Sequence, residues 1–76
     1  MNGFVSIYFD RQSTSRPTTT IGKINKIDNV QFAHLVTGEV DAIAWVQAPD
    51  SQAFRTALLE ISSVNGVDRT STSVAL

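Results

Sequence analysis

The sequence predicts a single α+β domain in which a strand, a helix, two strands, a second helix and a last strand follow one another. Three observations predict it. Stretches 3–9, 30–36, 40–46 and 67–74 carry strand-like alternation. The residues after Pro17 and after Asp50 place apolar side chains three and four apart, the spacing of one helix face. Between the second and third strand stretches stands Gly38, which takes a positive φ without a Cβ penalty and can fold one run back on the other as a hairpin.

In chain order, Val5, Ile7 and Phe9 alternate with Phe4, Ser6 and Tyr8, and both sets are largely apolar. Residues 10–16 are polar and rich in Ser and Thr, a loop by composition. Ser15 or Arg16 is placed to cap a first helix, with Pro17 in its first turn, where a missing N–H costs nothing. Ile21, Ile24 and Ile27 form its stripe, and the threonines and Gly22 make it a poor helix former that packing must hold. Asp28-Asn29 supplies the exit. In the second strand Val30, Phe32, His34 and Val36 alternate with Gln31, Ala33, Leu35 and Thr37. After the turn, Val40, Ala42, Ala44 and Val46 take one face and Asp41, Ile43, Trp45 and Gln47 the other. Pro49 ends that strand, and Asp50 or Ser51 can cap a second helix with Phe54, Ala57, Leu58, Ile61 and Val64 inward. Asn65-Gly66 is its stop, and Val67 to about Val74 is the last strand.

This order is the split βαβ, or ferredoxin-like, arrangement: a four-stranded antiparallel sheet with both helices on one face. Right-handed crossovers put the first and third strands in the centre and the second and fourth at the edges. The other sheet face then lies open while carrying part of the set Phe4, Tyr8, Phe32, Ile43, Trp45 and their neighbours, whichever parity holds. So much exposed aromatic surface predicts a homodimer through the open face, with Phe32, His34, Ile43 and Trp45 in the interface.

Composition agrees with self-association. A chain of 76 residues buries only roughly 60% of its unfolded surface, so its core has little margin. With no cysteine and one histidine, neither disulfides nor a thiolate or histidine-rich metal site can supplement it. No metal or other cofactor is expected. Charged residues are only 17%, the net charge is -1, and the six Lys and Arg are scattered. That pattern argues against direct nucleic-acid binding, which needs a concentrated basic patch. No apolar run approaches a membrane span and no signal-peptide pattern opens the chain, so a cytoplasmic protein is expected.

Two groups of residues carry possible chemistry. His34 shares a face with Trp45 and Phe32 and, lacking a visible orienting partner, is expected to be a satisfied member of an aromatic cluster rather than a general base. Glu39 and Asp41 sit beside the turn glycine. A free amino acid offers an ammonium that seeks a carboxylate, which Asp41 or Glu39 can supply. It also offers a carboxylate that seeks N–H groups and hydroxyls, which Gly38 and Thr37 can supply.

The run Val36-Thr37-Gly38-Glu39-Val40-Asp41 resembles the V-T-G-x-x-D signature of the effector-binding (RAM) domain of leucine-responsive/AsnC transcription regulators. The segment from Gly66 to Val74 is similar to that family's G-V-x-x-T-x-T-x-x-V, in the same order and at a fitting separation. The resemblance implies one RAM domain over residues 1–76 that binds small effectors, often amino acids, at a junction between dimers. It implies ligand-binding roles for Thr37, Gly38, Glu39, Asp41, Thr70 and Thr72, and an oligomer of dimers. Full-length members carry a helix-turn-helix domain; none precedes the first strand here, so transcription control is expected to be indirect, through metabolite sensing or mixed oligomers with a DNA-binding relative.

The leading expectation is thus a non-enzymatic effector-binding and oligomerisation module. One alternative is a small cofactor-free enzyme of the dimeric α/β-barrel type, with His34, Trp45 and Tyr8 lining a pocket between sheet and helices. Another is a ligand-free structural adaptor.

Overall fold

The computed structural model describes residues 1–11 and 16–76. Its elements are β1 (Asn2–Phe9), α1 (Pro17–Ile24), β2 (Val30–Leu35), β3 (Ala42–Gln47), α2 (Ser51–Ser63) and β4 (Val67–Val74). They form one antiparallel sheet in the order β2-β3-β1-β4, so β1 and β3 are central, as the crossover rule requires. Both helices cover one face.

The core is built by the predicted periodicities. Val5 and Ile7 of β1 and Ala42, Ala44 and Val46 of β3 are buried completely beneath Ile24 of α1 and Phe54, Ala57 and Ile61 of α2. Small alanines on β3 let the larger helix side chains sit close to the sheet. At Gly3 the contact is tighter still: an added Cβ would lie 2.8 Å from the Phe54 ring and 2.9 Å from the Ser73 carbonyl oxygen. Only glycine fits there. Asp50 caps α2, its carboxylate accepting the Ala53 N–H at 2.8 Å.

The structure departs from the sequence expectation in four places. First, α1 ends at Ile24 instead of running on to Ile27; its N-cap is Arg16, one of the two expected, with no side-chain bond, and Ser15 lies outside the described residues. The cause of the early end is Asn25, whose side-chain amide accepts from Ala33 N–H at 2.8 Å and donates to Ala33 carbonyl at 2.9 Å. It completes the outer edge of β2 as a neighbouring strand would. Second, the register shifts between Val30 and Phe32, a bulge that turns Val30 into the core beside Ala33 while Phe32 and His34 remain on the open face. Third, β3 begins at Ala42, and residues 37–40 form a loop closed by Val36 N–H donating to Asp41 carbonyl at 3.1 Å. The pairing of Phe32 with Trp45 is nevertheless the one a two-residue turn at Gly38-Glu39 would set. Fourth, Gly66 has φ 102° but Val64, in extended geometry, is the α2 cap; Gly66 serves the turn in which Val67 N–H donates to Val64 carbonyl.

Candidate functional site

The signature loop lies where the β2–β3 hairpin meets the end of β1. Gly38 has φ 120°, in the region that favours glycine, and Thr37, Gly38 and Glu39 are exposed. Asp41 is different. Its main-chain N–H donates to Ile7 carbonyl at 3.0 Å, and its side-chain Oδ2 accepts the Phe9 N–H at 2.9 Å. Its Oδ1 lies 3.5 Å from an Arg11 guanidinium nitrogen. Asp41 is therefore a staple between hairpin and β1, not merely a solvated turn acceptor, and replacing it by alanine would strand a backbone donor.

Beside this staple opens a cleft of about 400 Å³ lined by Phe9, Arg11, Pro17, Leu35, Val36 and Asp41. Its walls are apolar apart from one cation and one anion. Sequence reasoning missed Phe9, Arg11, Pro17, Leu35 and Val36 as a set. Arg11 sits in the loop that composition alone left featureless, thirty positions from Asp41. The β1–β3 register, which pairs Ile7 with Ala42, is what brings the two together.

Thr70 and Thr72 stand elsewhere. Thr70 pairs with Ile7 and Thr72 with Val5, on the far side of β1 from the hairpin and on the helix-facing side of the sheet. Two strand spacings, about 9–10 Å, separate the β3 and β4 backbones. Within one protomer the two motif segments flank β1 without meeting.

The open face gathers the predicted aromatic set. Phe4 and Trp45 rings are 4.5 Å apart, Phe32 stacks on His34 at 5.0 Å, and His34 pairs with Ile43. At the β4 margin Arg69 lies 3.8 Å above the Tyr8 ring. Phe4 remains 49% and Phe32 36% exposed, so this apolar surface is uncovered in the single chain. The His34 side chain makes no hydrogen bond to another described residue; ring stacking, not a polar partner, orients it. His34, Trp45 and Tyr8 all face away from the helices, so the pocket between sheet and helices that an α/β-barrel enzyme would need from them is not formed.

A second cleft of about 390 Å³ runs between α2 and the α1–β2 link, with Asp28, Asp50 and Glu60 among its lining residues. The Asp50 carboxylate is already engaged as the α2 cap. Among the described residues no cluster of His, Asp or Glu is arranged to hold a metal ion, and no helix is long and apolar enough to cross a membrane.

Residues 2–76 match the family model of the Lrp/AsnC ligand binding domain. The chain belongs to that family. Lrp/AsnC ligand-binding domains are regulatory effector-binding domains, and the βαββαβ sheet seen here is their fold. Among similar solved structures is TTHA0845 from Thermus thermophilus, with 28% identity and a TM-score of 0.85 over 99% of this chain and 91% of that one. AsnC of E. coli shares 21% identity at a TM-score of 0.84, covering 99% of this chain and 50% of that one. The transcriptional regulator NMB0573 of Neisseria meningitidis, solved as a complex with L-Met, shares 20% identity at 0.81, covering 99% and 49%. The chain thus spans about half the length of these two regulators and most of the Thermus protein. No curated protein matches the sequence.

Proposed function

We propose that this domain binds a free α-amino acid in the cleft beside Asp41 and couples that binding to assembly, without catalysing a reaction. The observation that carries the reading is the pairing of one cation and one anion, Arg11 and Asp41, at the rim of a cleft otherwise walled by Phe9, Pro17, Leu35 and Val36. A zwitterion presents the complementary pair of charges. Arg11 is exposed and free to swing onto a ligand carboxylate, while Asp41 Oδ1 keeps lone pairs for an ammonium. The apolar walls suit an aliphatic or aromatic ligand side chain, as does the L-Met complex of the Neisseria relative.

Thr37, Gly38 and Glu39 line the loop at the same end and can close over the ligand. Thr70 and Thr72 lie across β1, so they join the site only when a neighbouring subunit supplies them. The open face carrying Phe4, Phe32, His34, Ile43 and Trp45 forms a homodimer, and a ligand at the hairpin end biases how dimers assemble in proportion to its differential affinity for the two states.

Calorimetric titration with each common amino acid tests the site. The Asp41→Asn variant keeps an oxygen for the Phe9 N–H, so it preserves the staple while removing the charge. Saturable binding that is lost in Asp41→Asn, with the melting temperature of the free protein little changed, is the expected result. Binding undiminished in Asp41→Asn and Glu39→Gln would refute the site.

A further inference from the structure

Arg11 and Asp41 meet at the cleft through a single oxygen. Asp41 Oδ2 accepts the Phe9 N–H at 2.9 Å, which ties it into the staple between hairpin and β1. Oδ1 is the oxygen left for a cation, and an Arg11 guanidinium nitrogen already stands 3.5 Å from it. The two partners differ in freedom. The Asp41 side chain is 23% exposed and held at Oδ2, whereas that of Arg11 is 87% exposed and makes no other hydrogen bond to a described residue. A ligand cation that seeks Asp41 therefore enters a place where a cation of the protein already stands.

We propose, resting on the reading of the cleft as an amino-acid site, that Arg11 restricts it to α-amino acids and rejects primary amines with the same side chain. An amine brings one positive charge. To reach Oδ1 it must displace the guanidinium or lie beside it as a like charge, and Arg11 receives no partner in exchange. An α-amino acid brings the replacement with it. Its ammonium and carboxylate share one carbon, so when the ammonium takes Oδ1 the displaced guanidinium turns onto the carboxylate, and two charge-assisted contacts stand where there was one. Arg11 suits this exchange: its fork of N–H donors keeps its charge at any working pH, and its exposed side chain pivots without disturbing the core.

Arg11 thus acts twice, and the two effects differ in size. An exposed ion pair shifts an equilibrium by at most about fivefold, which is what either ligand loses in freeing Asp41. A hydrogen bond between charged groups is worth about tenfold or more, and only the amino acid gains it. Removing Arg11 therefore acts with opposite sign on the two ligands: the amine binds better and the amino acid worse. A residue that merely shaped the cleft would move both the same way.

Calorimetric titration of the intact protein with L-leucine against isopentylamine, and with L-phenylalanine against phenethylamine, tests this. Each amine is the amino acid without its carboxylate, and both side chains suit the walls of Phe9, Pro17, Leu35 and Val36. In the unaltered protein the amino acid is expected to bind at least about tenfold more tightly than its amine. Arg11→Ala should bring that ratio near unity, with the amine gaining up to about fivefold and the amino acid losing the rest. Arg11→Lys, which keeps the charge, should retain most of the ratio. A ratio unchanged in Arg11→Ala, or two affinities that move in the same direction, overturns the proposal while amino-acid binding itself stands. A protein that binds neither member of either pair overturns the reading of the cleft, and the selection by Arg11 with it.

Discussion

The two faces of one sheet obey different rules, and the difference shows what is structure and what is recognition in this domain. On the helix side, Val5, Ile7, Ala42, Ala44 and Val46 are sealed under Ile24, Phe54 and Ile61. On the open side, Phe4, Trp45, Phe32, Ile43 and Tyr8 are as apolar but remain partly wet. The first face holds the fold within one chain. The second is the face that the proposed dimer would cover. The contrast is sharpened by substitutions that should damage one face and spare the other.

The largest effect is expected from Phe54→Ala. Removing a buried ring from a small core costs about 3–5 kcal/mol, against a total of about 0.05–0.15 kcal/mol per residue. Denaturant unfolding should find that this variant has lost a large fraction of its stability. Gly3→Ala, which drives a methyl group into the Phe54 ring and the Ser73 carbonyl, should cost about 1–3 kcal/mol by the same measurement. Asn25→Ala should cost about 1–3 kcal/mol by exposing the Ala33 backbone groups to the end of α1; if unfolding is unchanged, the clamp on β2 is dispensable. On the open face, Trp45→Glu should leave the far-UV spectrum native-like but dissociate the proposed dimer in equilibrium sedimentation. The smallest effect belongs to Arg69→Ala, whose contact with Tyr8 is worth about 0.5–1 kcal/mol at an exposed site.

The helix-covered face was the legible one. Period-two and period-three-to-four patterns located every element, if not its ends, because each buried position is set by one apolar side chain in its own local register, and the crossover rule supplied the sheet order. What stayed hidden depends on contacts between distant segments. The early end of α1 is decided by Asn25 reaching Ala33, and the turning-in of Val30 by a bulge; neither leaves a mark in local hydrophobicity. The cleft shows the same division. Asp41 was visible as an acid beside a turn glycine, yet its partners Phe9 and Arg11 come from β1 and the loop after it, and only strand pairing brings them near. Thr70 and Thr72 could be assigned to a strand from sequence, but their position across β1 from Asp41 follows from topology alone.

The central claim, an amino acid held beside Asp41 in a protein that assembles through its open face, is tested most directly by native mass spectrometry of the intact protein with and without a mixture of the common amino acids. The account predicts an even-numbered assembly that gains the mass of one amino acid per chain, a gain absent in Asp41→Asn. A monomer, or an assembly whose mass is the same with and without the mixture, would contradict it.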